Sequence, residues 1–264
     1  MLKIKKNFEY IDIILPVYNA EDYIIKTISS IIKQSYKYWK LYILDDGSTD
    51  NTYKLLNNYI NKNNNNRFIF LYKNLKNKGQ GYSRNFLLSK ARSNFLAFID
   101  SDDIWNKHKL KKQLFFMREN NVDFSYTDYM IFKKNKKKNI ITPKKFNFEN
   151  FIKNTSIATS TIMLRKKIIN NHVRFLKAKF CEDYFFKCQL LKKYEAIKCP
   201  GRLTNYRLVS TSLQSNRLKT LYWVWFINKK YNRLNIFKNL VSILLISFNS
   251  YLSLIYISEP TRPY

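Results

Sequence analysis

The sequence predicts an α/β protein built on a doubly wound, mostly parallel sheet with helices on both faces. Three observations support this fold class. Short apolar runs such as residues 95–99 have the composition of strands buried on both faces. These runs alternate with segments of helical periodicity, in the order β-α-β-α-β-α-β-α-β. The polar loops follow the strands, at the edge where open α/β sheets bind ligands.

Each predicted element rests on a local pattern. The first strand ends at Pro16, and Asn19 is placed to cap the helix that follows. Gly47 permits a sharp turn after the second strand, and an Asn-rich loop at 61–66 precedes the third. The predicted strands are 10–15, 39–44, 68–72, 95–99 and 122–126. The predicted helices carry Ile24, Ile28, Ile31 and Ile32, then Leu55, Leu56 and Ile60, then Phe86, Leu87, Leu88 and Ala91, and the last spans 107–118.

The 264 residues are enough for one large α/β domain with an appendage. We expect this domain to span residues 1–216, with one half at about 1–105 and the other at about 106–216. A helical segment is expected at 217–257. The last residues, 258–264, depart from the Lys-, Asn- and Ile-rich composition of the rest, as a truncation or a non-native read-through would, and no prediction rests on them.

The chain is strongly basic, with 48 Lys and Arg against 18 Asp and Glu and a formal charge of +30. The cations are spread along the whole chain rather than focused in a stripe, so we do not expect a nucleic-acid partner. The one dense cluster, 133–138, is predicted to be a hairpin tip. Three cysteines without paired spacing, and no secretory signal, favour a reducing, cytoplasmic location.

Acidic residues are scarce but clustered. Six of the eleven aspartates fall in two short stretches, 45–50 and 100–103. In the second stretch, Asp100, Asp102 and Asp103 directly follow an apolar strand, where neighbouring carboxylates repel one another. A divalent cation such as Mg²⁺ or Mn²⁺ would compensate them, because hard cations prefer carboxylate oxygens. The alternative is a solvated Asp-rich turn that caps the next helix.

A glycine-containing loop at 77–85 leads into a helix. Gly79 and Gly81 precede the helical positions, and Arg84 lies in the first turns. Loop amides at a helix N-terminus favour an anion, and the Arg84 guanidinium adds donors suited to phosphate or carboxylate.

Three motifs in order resemble those of the family 2 inverting glycosyltransferases, which have the GT-A fold. They are Pro16-Val17-Tyr18-Asn19-Ala20, Asp45-Asp46-Gly47-Ser48-Thr49-Asp50 and Asp100-Ser101-Asp102-Asp103. The stretch Asn77-x-Gly79-(x4)-Arg84-Asn85 resembles another segment of that family, and the likeness covers about 10–215. Residues 158–165 and 206–213 resemble the branch that makes teichuronic acid and other surface polysaccharides.

The resemblance implies a nucleotide-sugar donor, most simply UDP-linked, bound in the half at 1–105. By similarity, Tyr18 packs on the base, Asp46 accepts from the uracil N3–H and Asp100 faces the ribose. The residues implied in donor binding are Pro16, Val17, Tyr18, Asn19, Asp45, Asp46, Gly79, Arg84, Asp100 and Ser101. The alternatives are an ordinary loop aromatic for Tyr18, a helix cap for Asp46 and a surface cation for Arg84.

The resemblance also assigns the chemistry. Asp102 and Asp103 would hold Mn²⁺ or Mg²⁺ at the diphosphate, and Asp183 would deprotonate the acceptor hydroxyl. The alternative for Asp183 is a carboxylate that only favours a helix start, and its neighbour Glu182 is the residue that could be mistaken for the base. One departure concerns the metal: many relatives carry a His where this chain has Val209.

The C-terminal segment predicts contact with a membrane. Residues 221–227 are aromatic, and 240–257 are uncharged but diluted by Ser and Asn. An interfacial helix fits better than a spanning one, with Lys229, Lys230, Arg233 and Lys238 meeting anionic headgroups on the inner face of the cell membrane. The alternative is a core helix that packs on the catalytic domain.

The expected activity is therefore transfer of a sugar to a saccharide or lipid-linked acceptor in cell-surface polysaccharide biosynthesis. A nucleotidyltransferase is the enzymatic alternative, but it is expected to have a Gly-rich loop after the first strand, where 16–19 contain no Gly. A dinucleotide oxidoreductase lacks support for the same reason. A non-catalytic basic protein bound to membrane or nucleic acid would explain the charge but not the clustered aspartates.

Overall fold

The computed structural model describes residues 9–62, 68–133, 136–170, 172–178, 180–209 and 217–258, with side chains as far as 250. The strands are β1 Ile11–Val17, β2 Trp39–Asp45, β3 Ile69–Lys73, β4 Phe95–Phe98, β5 Ile104–Trp105, β6 Phe124–Lys133, β7 Lys136–Ile140, β8 Lys145–Phe146, β9 Met163–Arg165 and β10 Ala196–Arg207. The helices are α1 Ile24–Ile32, α2 Thr52–Lys62, α3 Gln80–Lys90, α4 Lys109–Glu119, α5 Phe148–Phe151, α6 Glu182–Leu191, α7 Arg217–Lys230 and α8 Ile236–Ser258. Two 3₁₀ turns lie at Thr159–Thr161 and Lys166–Ile168.

One sheet runs through both predicted halves, in the order β3-β2-β1-β4-β9-β6-β10-β5. The four strands from β3 to β4 are parallel, as predicted. Beyond β4 the sheet is mixed, because β9 is antiparallel to both β4 and β6. Further antiparallel pairing joins β7 to β6 and both β5 and β8 to β10. The longest pairing of the second half, β6 with β10, is again parallel, so the predicted mostly parallel sheet is confirmed, with antiparallel strands inserted beyond β4.

Two hydrophobic clusters cover the two faces of the sheet. Because side chains alternate along a strand, Ile13 of β1 packs with the helices α1, α2 and α4, whereas Ile14 packs with α3 and α6. Every residue of β1 is buried. This alternation confirms the predicted helices on both faces, and it leaves the carboxyl ends of β1, β2 and β4 open to the loops that carry the polar motifs.

Two local predictions meet different outcomes. The 133–138 cluster is a hairpin tip as predicted: Lys133 pairs with Lys136, and 134–135 lie outside the described residues. The predicted cap at Asn19 is wrong. Helix α1 begins at Ile24 without a side-chain cap, and Asn19 has a left-handed backbone with φ of 45°. Its side chain binds another loop instead.

Helices α7 and α8 form the C-terminal appendage. They pack on each other, and Val224 and Ile227 of α7 join the same hydrophobic cluster as α6. Within the described part of the chain, no helix combines the length and apolarity that crossing a membrane requires. The tail predicted at 258–264 lies outside the described residues except for Ser258.

Candidate functional site

The loops after β1 and β2 are held together by the side chains of the first two motifs. Asn19 Oδ1 accepts from the Thr49 amide at 2.9 Å, and the Asn19 amide donates to Ser48 Oγ at 3.0 Å. Glu21 Oε2 accepts from the Asn51 amide at 2.9 Å. These contacts explain why polar residues recur in both loops: they fix the relative position of the carboxyl ends of two parallel strands.

The predicted donor-binding residues at the end of β1 differ in exposure. Pro16 and Val17 are buried within the strand, and they shape the site only through the backbone position. Tyr18 is the first residue beyond the strand, and 46% of its surface is exposed. An exposed aromatic face at the carboxyl edge of a parallel sheet is available to a planar ligand.

The Asp46 carboxylate is buried and accepts from three N–H donors. Asn74 Nδ2 lies 2.6 Å from Oδ1, the Lys78 amide is 3.1 Å from both oxygens, and the Gly79 amide is 2.8 Å from Oδ2. The sequence predicted that amides of the 77–85 loop would bind an external anion. In the structure the amides of Lys78 and Gly79 bind the Asp46 carboxylate instead. A carboxylate has about four acceptor positions, so one remains on Asp46.

Neighbouring residues allow this arrangement. Asp45 is fully buried, and its Oδ1 accepts from the Ser48 amide at 3.0 Å, which fixes the turn. Gly47 has φ of 73°, and a Cβ on it would lie 2.6 Å from the Lys76 carbonyl carbon. Only glycine therefore permits the 74–79 loop to approach closely enough for its amides to reach Asp46.

Arg84 links the first half of the chain to α6. Its side chain is only 2% exposed, with Nη2 2.6 Å from Asp100 Oδ1 and Nη1 2.7 Å from Glu182 Oε1. Burial alone would lower the pKa of Arg84, but the two carboxylates raise it above its ordinary value. The guanidinium is thus an internal bridge between carboxylates, and Glu182 is its partner, a role that sequence reasoning missed.

The 100–103 loop is an ordered turn rather than a solvated one. The Thr27 hydroxyl lies 2.9 Å from the Ser101 carbonyl oxygen and 2.8 Å from that of Asp103. Asp103 is fully buried, and the next helix, α4, begins only at Lys109. The alternative of a solvated, helix-capping turn is therefore excluded.

The acids of this loop are only partly compensated. Burial and the neighbouring Asp100 raise the pKa of Asp102 to about 6, and burial with both neighbours raises the pKa of Asp103 well above its usual range. Asp103 Oδ1 accepts from the Arg207 amide at 2.9 Å, but Oδ2 has no hydrogen-bond partner among the described residues. Crowded carboxylate oxygens of this kind fit a hard divalent cation.

The fit is incomplete in one respect. The described residues contain no group of three or more side chains of the His, Cys, Asp and Glu types arranged to hold a metal. A cation at Asp102 and Asp103 would therefore take further ligands from water or from a bound anion. Val209, which stands where many relatives carry a His, has an apolar side chain and adds no ligand.

Arg207 lies beside this loop and was not singled out by the sequence. Its Nε donates to the Asp102 carbonyl oxygen at 3.0 Å, and its guanidinium lies 4.9 Å from the Tyr23 ring centroid and 4.4 Å from that of Phe132. The two rings hold the cation next to the acids, where it opposes the rise in the pKa of Asp102.

Asp183 lies in the first turn of α6 with a cation of its own. Its Oδ2 is 2.8 Å from Lys187 Nζ and 3.0 Å from Thr159 Oγ1. Burial raises the pKa of Asp183, but Lys187 and Arg84 outweigh it and hold that pKa well below its usual range. The side chain is therefore an ionised carboxylate at neutral pH.

The turn at Thr159–Thr161 connects the two acidic regions. Ser160 Oγ accepts from the Asp100 amide at 3.0 Å, while the adjacent Thr159 binds Asp183. Lys187, Thr159 and Ser160 are thus site residues that sequence reasoning did not assign, because their partners are distant in the chain. These contacts bring the acidic cluster at 100–103 and the ionised carboxylate of Asp183 to one edge of the sheet.

Comparison with protein families and curated proteins agrees with this geometry. The family model described as Glycosyl transferase family 2 matches residues 12–185. A putative teichuronic acid biosynthesis glycosyltransferase, TuaG of Bacillus subtilis, is 34% identical over 86% of this chain and 90% of its own length. WfgD of Escherichia coli, a UDP-Glc:α-D-GlcNAc-diphosphoundecaprenol β-1,3-glucosyltransferase, is 36% identical over 81% of this chain and 83% of its own.

Solved structures share the fold. TarS of S. aureus in complex with UDP-GlcNAc has a TM-score of 0.67 and 20% identity, over 93% of this chain and 73% of that chain. A mannosyltransferase from Pyrobaculum calidifontis in complex with GDP-Man and Mn²⁺ has a TM-score of 0.67 and 14% identity, over 95% of this chain and 76% of that one. The predicted GT-A fold is confirmed, and the nucleotidyltransferase alternative is not favoured.

Proposed function

This chain belongs to glycosyl transferase family 2, and from that membership we propose that it transfers a sugar from a UDP-linked donor, with inversion, to a lipid-linked saccharide in polysaccharide biosynthesis. The observation that carries the proposal is the bridge through Arg84. It joins Asp100 of the acidic loop to Glu182, the residue before Asp183. The groups needed at the donor and at the acceptor are thereby held in one rigid arrangement.

We assign the donor base to the edge formed by β1 and β2. The remaining acceptor position on Asp46 suits the uracil N3–H, and the exposed ring of Tyr18 suits stacking on the base. Asn19, Asp45 and Gly79 keep these groups in place, with Pro16, Val17 and Ser101 shaping the site through the backbone. Two similar proteins support uracil as the base of the donor. WfgD is named for UDP-Glc, and the TarS structure is a complex with UDP-GlcNAc.

Asp100 and Arg84 act as a pair in this scheme. With Oδ1 of Asp100 bound to Arg84, its other oxygen is left to face the ribose. Arg84 then contributes to donor binding by orienting Asp100 and by adding positive charge near the diphosphate. Its guanidinium does not have to leave its two carboxylates.

Asp102 and Asp103 would hold Mn²⁺ or Mg²⁺, with the donor diphosphate completing the ligand set. Bound there, the cation supplies Lewis-acid stabilisation of the departing nucleoside diphosphate. Support comes from the unpartnered Oδ2 of Asp103 and from the Mn²⁺ in the mannosyltransferase complex. Arg207 holds the backbone of Asp102 and adds a fixed positive charge on the same side.

Asp183 is the proposed general base. Its Oδ2 takes the proton of the acceptor hydroxyl while that oxygen forms the new bond to the sugar. The low pKa of Asp183 is compatible with this role, because the hydroxyl becomes acidic only as the bond forms. Lys187 keeps the carboxylate ionised before the reaction, and Thr159 orients it.

We place the reaction at the cytoplasmic face of the cell membrane. WfgD is named for an acceptor linked to undecaprenol through a diphosphate, which is a membrane lipid. A basic chain with a helical appendage, in peripheral contact with an anionic membrane, would meet such an acceptor at the bilayer surface.

The test is a donor screen with purified protein and Mn²⁺. UDP-Glc, UDP-GlcNAc, UDP-Gal and GDP-Man are each incubated with a synthetic GlcNAc-diphospholipid, and release of the nucleoside diphosphate is measured. We expect turnover with at least one UDP-sugar and none with GDP-Man. If none of the UDP-sugars is bound or consumed, the proposal fails.

The base assignment has its own variant. Asp183→Asn should bind the UDP-sugar with unchanged affinity in calorimetry but transfer it about 10²- to 10⁴-fold more slowly. Asp22→Asn, at an exposed position on the way to α1, is the control and should behave like the wild type. Unimpaired transfer by Asp183→Asn would move the base elsewhere.

A further inference from the structure

Helix α8 differs from an ordinary surface helix in what it exposes. The side that packs on the protein mixes polar and apolar residues: Asn239 is 1% exposed, Ser242 is fully buried, and Ile246 joins the hydrophobic core. The side that faces outward is apolar along several turns. Its large exposed residues are Ile236, Phe237, Leu240, Leu244, Leu245 and Phe248. A helix of a soluble domain normally buries such a stripe and exposes its amides.

A hydrogen-bonded cluster fixes this orientation. Asn228 of α7 donates from Nδ2 to Asn239 Oδ1 and to Ser242 Oγ, both at 3.1 Å. Asn228 Oδ1 accepts from the Tyr184 hydroxyl at 2.7 Å, and Ser242 Oγ donates to the Ile152 carbonyl oxygen. Rotating α8 to bury its leucines would leave these buried polar groups unpaired, at a cost that opposes the rotation.

Cations dominate the charge of the appendage that carries the stripe. Between residues 217 and 258 the chain has six Lys and Arg and no Asp or Glu. Lys229, Lys230 and Arg233 are exposed where α7 meets α8, and Lys238 is exposed on the first turn of α8. Lys238 forms an exposed ion pair with Glu149, with Nζ 3.6 Å from Oε1.

We propose that the outward face of α8, residues Phe237, Leu240, Leu244 and Phe248, inserts into the interfacial region of an anionic lipid bilayer. Apolar residues flanked by cations match acyl chains beneath anionic headgroups. A second copy of the chain would match the stripe but would bring two sets of cations together, so lipid is the occupant that satisfies both features. The helix lies in the interface and does not cross it, in agreement with its limited apolarity.

This contact deepens the proposed function, on which its biological meaning rests. Tyr184, which anchors the polar cluster, follows Asp183 in α6. The lipid-facing helix is therefore tied, through Asn228 of α7, to the helix that carries the proposed base. A lipid-linked acceptor held in the same bilayer would approach α6 with its saccharide at the membrane surface.

Vesicle sedimentation of the full chain tests the proposal without donor or acceptor. We expect binding to phosphatidylglycerol–phosphatidylcholine vesicles and at least tenfold weaker binding to pure phosphatidylcholine. Leu244→Glu combined with Phe248→Glu should lower the partition coefficient about thirtyfold or more. Phe115→Glu, at an exposed site on α4, which packs on the opposite face of the sheet, is the matched control and should not change binding.

The cations have a matched pair of variants. Lys229→Gln with Lys230→Gln should weaken binding about tenfold, whereas Lys111→Gln with Lys112→Gln, exposed on α4 at the opposite face of the sheet, should change it less than twofold. A fluorophore on Leu244→Cys should shift to shorter wavelength with vesicles, after subtraction of label bound to the native thiols, and one on Phe115→Cys should not. This second readout does not depend on a variant that weakens folding.

The outcomes are separable from those of the donor screen. No binding of the wild type, or equal binding by the α8 variant and the wild type, overturns the lipid proposal even if transfer to a soluble acceptor is normal. A wild type that doubles its mass in light scattering, and returns to a monomer in Leu244→Glu without binding vesicles, would show that the face binds a second copy instead. Vesicle binding without turnover would leave the lipid contact standing and reject the glycosyl transfer.

Discussion

After β2 the Asp46 carboxylate accepts from three N–H donors, whereas after β4 the carboxylates of Asp102 and Asp103 are buried beside other acids and have few donors. Asp46 directly follows β2, and Asp102 and Asp103 follow β4 after a short turn, so both sets lie at the carboxyl end of a buried parallel strand. Their surroundings differ. Neutral amides bind the first carboxylate, and burial beside other acids raises the pKa of the second pair.

The difference separates two uses of the same residue type. A carboxylate that is held by amides keeps a fixed direction, which suits recognition of a base edge. Carboxylates that lack donors need positive charge. In this loop Asp100 is paired with Arg84, whereas Arg207 bonds the backbone carbonyl oxygen of Asp102 and offsets the charge of its carboxylate only in part. We infer that Asp102 and Asp103 are kept for a cation that arrives with the donor.

The largest expected effect is on turnover. Asp102→Asn keeps the size of the side chain but removes the charge, so it should lower the rate of nucleoside diphosphate release about 10³-fold or more in Mn²⁺. The melting temperature of the metal-free protein should stay the same or rise slightly, because one of several repelling carboxylates is gone. Thermal scans and steady-state assays on the same preparation check both parts. A variant that keeps more than a tenth of wild-type turnover would refute the metal assignment of Asp102.

After β2 we expect the opposite: loss of a carboxylate should lower the stability of the protein. Asp46→Ala leaves Asn74 Nδ2 and the amides of Lys78 and Gly79 without their acceptor, so the free energy of unfolding should fall by about 2–4 kcal/mol. Urea unfolding measures the change. Asp46→Asn retains one carbonyl oxygen and should lose less, and Asp102→Ala should change the free energy by less than about 1 kcal/mol. If Asp46→Ala and Asp102→Ala lowered the free energy of unfolding equally, the carboxylates of the two loops would be compensated in the same way.

The same contrast shows what the sequence can and cannot predict. Apolar runs and helical periodicity were sufficient for β1 to β4 and their helices, because these elements are long and locally patterned. The three residues of β9 are too short for such a signal, and its insertion makes the second half of the sheet mixed. The capping role expected for Asn19 was wrong because a tertiary partner, Thr49, bound its side chain instead.

Site residues divide along the same line. The acidic clusters were visible because acids are rare in this chain, so position alone marked Asp46 and Asp102. The partner of Arg84, Glu182, lies 98 residues away, and no local pattern announces such a pair. The exposure of the apolar stripe of α8 could not be predicted either. A helical pattern of apolar residues does not tell which side of the helix packs on the protein.

The smallest effect expected is a pair of thermal shifts. Ligand that binds the folded state at ten times its dissociation constant stabilises it by about 1.4 kcal/mol, which is about 3–5 °C for a domain of this size. UDP alone should give part of this shift through the base, and Mn²⁺ with UDP should add the rest. Asp102→Asn should keep the shift with UDP alone and lose the increment from Mn²⁺, whereas Asp46→Asn should lose the shift with UDP alone. EDTA should remove the increment from the wild type, and replacing UDP with CDP should remove the part that depends on Asp46. The thermal shift with UDP would then report on the loop after β2, and the increment from Mn²⁺ on the loop after β4. An increment from Mn²⁺ that survives in Asp102→Asn would place the cation on other residues.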